Sequence, residues 1–298
     1  MAETSSVATL RPAGPPRAAG RAFDHLLAAL PALWLLGVFI IPLGFTVVFS
    51  FGRSSFGGIK LDFTFDNYAQ ALSGFYLDSF LRTIQFALSG CALCLLVAYP
   101  AALFIARQQG ARRTWLLVLV LVPYFTSFLI RVMSWQILLA RGGPIEWLLN
   151  ITHLMPGPLD VLDTQTAVFI GLVYAYLPIA VVPLYIVLIR IPAALTEASR
   201  DLGASPWQTF WHVTLPMSRP GLATAALLTG VPMLGELVIP ALLGGDKGVL
   251  MGMAISQQYL ATQKYALGSA MAVLVLVAVA VMVLVLVRLT RGFEEVSA

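Results

Sequence analysis

Two ionisable residues, Arg131 and Glu236, stand inside long apolar stretches of the sequence. A charged side chain at membrane depth costs roughly 2.5 to 3.5 kcal/mol on insertion scales, so its presence indicates a partner or a function. If both stretches run straight through a membrane in the same direction, the two charges reach similar depths. The sequence therefore leaves two chemistries open: an ion pair between two helices, or a Glu236 carboxylate that meets a cationic solute.

Three aromatic residues of the apolar stretches, Trp135, Tyr174 and Tyr176, are candidates for the walls of a solute path. Ring faces attract cations when water is excluded. Together with Arg131 and Glu236 they form the predicted substrate path. Ordinary packing is the alternative for each ring.

Other reactive side chains do not form a recognisable site. Cys91 and Cys94 have the spacing of metal and redox pairs, but they lie within an apolar stretch without clustered acids or histidines. We therefore expect them to be small packing residues. The histidines, His25, His153 and His212, fall in three separate segments, so no metal site is predicted.

Catalytic and nucleotide-binding signatures are also missing from the sequence. It contains no GxxxxGK[ST] loop, so we expect no ATP site and no cofactor in this chain. No nucleophile and base pair stands out, so a membrane enzyme is disfavoured. A basic face outside the membrane, which nucleic-acid binding needs, is not evident either.

Composition places these residues in a membrane protein, because 59% of the chain is hydrophobic and only 11% is charged. Stretches of roughly 17 to 25 apolar residues are long enough to span a bilayer. The sequence predicts an all-α integral membrane protein with six transmembrane helices. Their expected ranges are 26–51, 83–106, 114–139, 164–189, 220–243 and 265–287.

Basic residues predict the orientation of these spans. Arginines such as Arg107, Arg112, Arg113, Arg190 and Arg200 concentrate in the connections on one side, and positive charge stays in the cytoplasm. Both termini are therefore expected in the cytoplasm. We divide the chain into a disordered basic leader at 1–24, a transmembrane domain at 25–291 and a short tail at 292–298. The first span is expected to remain as an anchor rather than to be cleaved.

Breaks in the helices are expected where proline and glycine accumulate. The fourth and fifth spans contain Pro178, Pro183, Gly235 and Pro240. Broken spanning helices are tolerated where freed backbone groups meet protein or a water-filled cavity. We expect these two spans to line a path, with helix-shaping prolines as the alternative.

A polar connection at about 191–219 interrupts the second half of the chain. "TEASRDL" predicts a short helix that ends at Gly203, where a left-handed residue is favoured. Ser205 suits the N-cap and Pro206 the first position of a second helix. Large aromatic residues follow at Trp207, Phe210 and Trp211. On a cytoplasmic loop, they predict a surface that docks on another protein.

This connection resembles the EAA loop of permease subunits in ATP-binding-cassette importers. The match rests on Glu197-Ala198-Ser199, on Gly203 six residues after the glutamate, and on Leu215-Pro216 before Pro220-Gly221. Ser199 replaces the usual alanine, a small residue for a small one. The resemblance implies a type I importer permease fold with a cytoplasmic coupling helix. The residues it implies for coupling to the ATPase are Glu197, Ala198, Ser199, Gly203, Ala204, Trp207, Phe210, Leu215 and Pro216.

The same resemblance implies a set of partners and a location. The partners are a cytoplasmic ATPase dimer that binds ATP and Mg, a second permease subunit, a periplasmic solute-binding protein and membrane lipid. The location is the inner membrane of a bacterial-type cell. Phrases such as "PYFTSFLIRVMSWQILLARGGPIEWLL" and "GELVIPALLGGDKGVLMGMAISQQYL" are similar to the spermidine/putrescine permease branch. That branch implies polyamine uptake and a second permease of a different sequence.

Alternative functions remain open at this point. The solute could be another small organic cation, an amino-acid derivative or a ferric complex. A self-sufficient secondary transporter is a further alternative, but it should show internal repeats and paired charges for ion coupling. It also leaves the EAA-like connection without an explanation.

Overall fold

A computed structural model describes residues 18–55, 58–153 and 157–291 of the chain. These residues are mostly helical. The longer helices, of nine residues or more, are α1 (Ala18–Ser50), α3 (Gly74–Ala106), α4 (Gly110–Leu121), α5 (Phe128–Leu139), α7 (Gln165–Leu188), α8 (Ala193–Asp201), α11 (Arg219–Leu234), α13 (Met251–Leu260) and α14 (Tyr265–Arg291). The short ones are α2 (Asp66–Ala71), α6 (Pro144–Ile151), α9 (Pro206–Thr209), α10 (Leu215–Met217) and α12 (Val238–Leu243).

A small β-hairpin departs from the all-α prediction. Strands β1 (Arg53–Ser55) and β2 (Gly58–Lys60) pair antiparallel directly after α1. The predicted leader and tail fall largely outside the described residues, except that α1 begins at Ala18. The helices from α2 onward belong to one compact unit that starts at Val48, and the chain up to Val47 is a unit of its own.

Four helices of the described residues are long and apolar enough to cross a membrane: Pro31–Ser50 of α1, α3, α7, and Tyr265–Arg288 of α14. They correspond to the predicted first, second, fourth and sixth spans. A fifth is present if Gly110–Phe125 and Phe128–Ile151 count as one span, but these two pieces meet at a bend of 89°. The predicted straight third span, 114–139, is therefore wrong.

Two breaks in the helices explain why the span count differs from six. In the third predicted span, α4 runs into a 3-10 turn (Val122–Phe125), and extended backbone at Thr126 and Ser127 separates that turn from α5. In the fifth, α11 ends at Leu234 and α12 begins at Val238. The ring of Pro240 would clash with the carbonyl of Glu236 in a continuous helix, which accounts for the second break.

The predicted fourth span, by contrast, is one helix. α7 runs from Gln165 to Leu188 with Pro178 and Pro183 inside it. The expectation that this span is broken is wrong, because both prolines are accommodated in the helix. The expectation of a broken fifth span is confirmed.

Small residues allow α3, α7 and α11 to pack closely in the core. Gly90, Cys94, Ala98 and Ala102 repeat along one face of α3, and the last three are fully buried. A Cβ added at Gly221 of α11 would lie 3.0 Å from Val187 Cβ of α7. Close backbone approach through small residues is how helices associate in a membrane, where water provides no driving force. Cys94 packs in this core, as predicted.

Candidate functional site

The connection between α7 and α11 is a helix pair with a sharp turn. α8 ends at Asp201, and Gly203 has the left-handed φ of +84° that a residue with a Cβ adopts only at a cost. The N–H of Gly203 donates to the carbonyl of Arg200 at 2.8 Å, and that of Ala204 to Ser199 at 3.1 Å. These bonds satisfy the last carbonyls of α8, and the predicted turn at Gly203 is confirmed.

The second helix begins as the sequence predicted, at the N-cap Ser205 with Pro206 in its first position. Ser205 Oγ accepts from the N–H of Gln208 at 3.2 Å, and Gln208 Oε1 accepts from the N–H of Ser205 at 2.8 Å. This reciprocal capping box satisfies two amides that would otherwise lack partners. A hydroxyl contact of 3.1 Å between Ser199 and Thr209 ties α8 to α9.

The sequence suggested that the second helix stops before Pro216. In the structure, the helix continues past this residue. α9 continues into a π-helical turn, Phe210–Thr214, and then into α10, which contains Leu215 and Pro216. α11 follows directly at Arg219. The coupling segment, which we define as residues 193–218, therefore joins α11 without a loop.

Three aromatic side chains of the coupling segment divide between two surfaces. Trp207 is 68% exposed and Trp211 is 48% exposed. Phe210 packs edge-on against Tyr99 of α3, with ring centroids 5.7 Å apart, and is half-buried. Trp207 stacks on Phe210 at 5.7 Å, and Trp211 contacts both rings. The tryptophans thus face outward while Phe210 faces the helix bundle.

The other EAA-like residues divide in the same way. Glu197 and Ala198 are exposed, whereas Ser199, Ala204, Leu215 and Pro216 are partly buried. The structure places all of them in the coupling segment.

A buried hydroxyl pair attaches the end of the coupling segment to the bundle. The oxygens of Tyr99 and Ser218 lie 2.7 Å apart, and Ser218 is fully buried. Tyr99 therefore holds the segment at two points, through Phe210 and through Ser218. The sequence analysis missed Tyr99 and Ser218, since residues on different helices give no local sign of contact.

Glu236 caps the break between α11 and α12. Its Oε1 accepts hydrogen bonds from the N–H groups of Leu237, Val238 and Ile239 at 3.1, 2.9 and 3.3 Å. Its Oε2 accepts from the hydroxyl of Tyr176 at 2.5 Å. The residue is 8% exposed. Three amides and a hydroxyl thus supply hydrogen bonds to both oxygens, so this acid needs no arginine as a partner.

Arg131 stabilises the other break. Its Nη1 donates to the carbonyls of Pro123 and Tyr124 at 3.3 and 3.2 Å, which are the carbonyls of the 3-10 turn before the bend. The guanidinium lies 5.2 Å from the ring centroid of Tyr124 and 5.7 Å from that of Phe128. Cations are favourable at the carboxyl ends of helices and over aromatic faces.

The ion pair between Arg131 and Glu236, one of the two chemistries that the sequence left open, does not form. The ion pairs of the described residues all lie elsewhere, between Arg53 or Arg141 and aspartates. The prediction assumed two straight helices, but each charge lies beside a break and binds backbone groups there. The freed amides directly follow Glu236 in the chain, and the freed carbonyls lie seven and eight residues before Arg131, so each charge has backbone partners at its own break.

The three aromatic residues predicted for the solute path take part in two separate contacts. Trp135 and Tyr174 pack edge-on, with centroids 5.2 Å apart, while Tyr176 binds Glu236. Sequence reasoning missed Tyr124, although its position next to Pro123 marks a helix end. No group of three or more metal-ligating side chains occurs among the residues that the structure describes.

Comparisons with known proteins find matches that cover nearly the whole chain. Residues 5–295 match the family described as binding-protein-dependent transport system inner membrane component. The chain is 34% identical to the spermidine/putrescine transport system permease protein PotB of Escherichia coli K12, covering 83% of this chain and 86% of the relative. The PotB protein of Haemophilus influenzae is 31% identical, with coverages of 84% and 88%.

A solved structure shares the fold. A chain of a bacterial ABC transporter involved in the import of the acidic polysaccharide alginate superposes with a TM-score of 0.68 at 19% identity, covering 92% of this chain and 96% of that one. The resemblance that the EAA-like residues indicated is therefore confirmed. The chain belongs to the family of inner membrane components of binding-protein-dependent transport systems, the permease subunits of ATP-binding-cassette importers.

Proposed function

We propose that this protein is the permease subunit of an importer that moves a polyamine, spermidine or putrescine, into the cytoplasm. The solute arrives from a periplasmic binding protein, and a separate ATPase dimer binds ATP and Mg. The chain itself binds no cofactor and catalyses no reaction. A second permease subunit of different sequence completes the path.

One observation carries the coupling part of this proposal. The coupling segment presents Trp207 and Trp211 outward while Phe210 and Ser218 are held against Tyr99 of α3. Exposed tryptophans are frequent anchors of protein interfaces. A segment with one apolar face outward and the other fixed to the bundle is suited to transmit the movement of a docked ATPase.

The polyamine part of the proposal is supported by the relatives' identity as spermidine/putrescine permeases. The carboxylate of Glu236 is not free to bind a solute, because both of its oxygens already accept hydrogen bonds within the protein. We therefore assign solute contact first to Trp135 and Tyr174, whose rings pack together. Tyr174 is also exposed. The positive charge of a polyamine is attracted to such rings.

The topology that fits this function has six crossings in a bacterial inner membrane with both termini in the cytoplasm. Under this topology the two pieces of each broken span together complete one crossing. The coupling segment then lies in the cytoplasm, where Arg190 and Arg200 follow the distribution of positive charge. Reporter fusions after residues 109, 203 and 291 should be cytoplasmic, and fusions after 58 and 142 periplasmic.

The function is tested by reconstituting the chain with its ATPase, second permease and binding protein in vesicles. We expect ATP-dependent uptake of labelled spermidine or putrescine. Glu197→Lys should lower uptake and ATPase recovery in a pull-down, because Glu197 is exposed on the coupling segment. Asp78→Lys is the matched control, an exposed acid on α3 outside the segment.

Three outcomes would reject parts of this proposal. Uptake by the chain alone would indicate a secondary transporter. Uptake of an amino-acid derivative, ferric complex or other organic cation in preference to polyamines would change the substrate and leave the coupling role intact. Equal ATPase recovery with both variants would remove Glu197 from the docking surface.

A further inference from the structure

A cavity separates the coupling segment from the helix bundle. Its volume is about 310 Å³, at the lower end of the roughly 300 to 1,000 Å³ that ligand pockets occupy. Its walls come from the last turns of α3 and α7 on one side and from α8, α9 and the π-helical turn on the other. The cavity is therefore bounded by the parts that the proposed function requires to move together.

The residues that line this cavity include both basic and apolar side chains. Arg107 and Arg200 supply two positive charges, and Thr196 and Thr209 supply hydroxyl groups. Leu188 and Ile191 are among the apolar residues that line it. Among residues 18–55, 58–153 and 157–291, no acid lines the cavity. Neither arginine forms an ion pair within the part of the chain that the structure describes. Such a site complements an anion that carries an apolar portion.

The position of the cavity identifies the source of that anion. Two long apolar helices end at its wall, α3 at Ala106 and α7 at Leu188. The ends of spanning helices lie at the depth of lipid headgroups. Exposed apolar side chains are found at Ile189 in its wall and at Phe104 in the last turn of α3. Basic pockets between membrane helices on the cytoplasmic side bind anionic headgroups.

We propose that this cavity binds the phosphate headgroup of an anionic phospholipid from the inner leaflet. The cytoplasmic placement rests on the topology given under the proposed function. Arg107 and Arg200 bind the phosphate, and the hydroxyl of Thr209, which can accept from Ser199, donates to one of its oxygens. The lipid glycerol lies against Leu188 and Ile191. Since Arg200 belongs to α8 and Arg107 follows α3, a bound headgroup links the coupling segment to the bundle.

Lipid retention tests this proposal without any requirement for transport. The full chain, in complex with its partners where they are needed for stability, is purified from vesicles of phosphatidylcholine with or without phosphatidylglycerol, and retained lipid is measured by native mass spectrometry. We expect retained phosphatidylglycerol. Each arginine near a membrane surface contributes about a fivefold change in affinity, so Arg107→Gln/Arg200→Gln should lower retention by roughly 25-fold.

Two further variants keep the test decisive. Arg190→Gln removes a nearby exposed arginine that does not line the cavity, and it should retain the lipid. Ala193→Trp fills the cavity with both arginines present and should also abolish retention; Ala193 is exposed, so the larger side chain is tolerated. A second arm adds inorganic phosphate and follows thermal stability.

The outcomes separate the sources of the anion. Retention of phosphatidylglycerol that is lost in both cavity variants and kept in Arg190→Gln supports the proposal. Equal retention in all variants would overturn it. Stabilisation by inorganic phosphate without any lipid preference would overturn the lipid assignment. Loss of polyamine uptake with unchanged lipid retention concerns the proposed function alone.

Discussion

Removal of the Glu236 carboxylate distinguishes a structural cap from a solute ligand. In Glu236→Ala the amides of Leu237, Val238 and Ile239 lose their acceptor, and the hydroxyl of Tyr176 loses its partner. A buried polar group left without a partner costs about 1–3 kcal/mol. Four polar groups lose a partner in this variant, and water that enters the space recovers part of their summed cost. We therefore expect the free energy of unfolding to fall by about 3–5 kcal/mol.

Glu236→Gln is the milder change. The amide oxygen of Gln can still accept from the N–H groups, and the Tyr176 hydroxyl can accept from the new amide nitrogen. Hydrogen bonds to a charged group are about twice as strong as neutral ones, so we expect a loss of about 1–2 kcal/mol. Tyr176→Phe should cost a similar amount. The double variant Tyr176→Phe/Glu236→Ala should be more stable than additivity predicts by about 1–2 kcal/mol.

Denaturant titration of the protein in detergent measures these changes, and polyamine uptake in vesicles is measured beside it. If Glu236 is a cap, uptake and stability fall together through the series Gln, then Ala. The reasoning is refuted if Glu236→Ala keeps the unfolding free energy of the natural protein within about 0.5 kcal/mol and loses uptake. That result would assign the carboxylate to the solute.

Other substitutions test the remaining parts of the site. Arg131→Gln should lower the unfolding free energy by about 1–3 kcal/mol, because two carbonyls at the bend lose a charged donor; an unchanged denaturation midpoint would contradict this. Gly203→Ala should cost about 1–2 kcal/mol, because φ is +84° there; an equally stable variant would mean the turn relaxes. Trp207→Ala should weaken ATPase binding about 30-fold in a titration, as hot-spot residues do. Trp147→Ala, which removes an equally exposed tryptophan on α6, should leave that affinity unchanged, and equal losses in both would remove Trp207 from the interface. Gly252→Ala should destabilise the protein by about 1–3 kcal/mol, because its Cβ would lie 2.6 Å from the carbonyl oxygen of Glu236; wild-type stability would show that α13 can shift.

The turn in the coupling segment was predictable because its causes are local. Gly203 supplies a left-handed residue, and Ser205 followed by Pro206 supplies an N-cap and first turn. Each of these preferences depends on the residue itself and on its neighbours within about one helical turn.

The partners of the two membrane charges were not predictable, since they depend on where the helices break. Opposite charges at similar depth suggest a pair only if both helices are straight. Pro178 and Pro183 lie inside an intact helix, whereas the third predicted span breaks just after Pro123. Proline therefore marks positions where a break is possible, and packing against neighbouring helices decides which of them breaks.

The two breaks and the two charges have one physical explanation. A break in a spanning helix frees amides on one side and carbonyls on the other, and lipid offers no partner for either. Glu236 accepts from the freed amides of α12, and Arg131 donates to the freed carbonyls before α5. Each charge is thus placed where the sign of the exposed backbone dipole requires it. The two charges bind backbone groups at these breaks that apolar side chains would leave without a partner.

The coupling segment adds a constraint on how movement reaches the bundle. Tyr99 contacts it through Phe210 and through Ser218, which lie at the start and beyond the end of the π-helical turn. A rotation of α9 alone would separate Phe210 from Tyr99, while Ser218 would stay bonded. A translation of the whole segment would carry Tyr99, and with it α3, in the same direction. Displacement of the exposed tryptophans would therefore reach the core through α3 as well as through the direct continuation into α11.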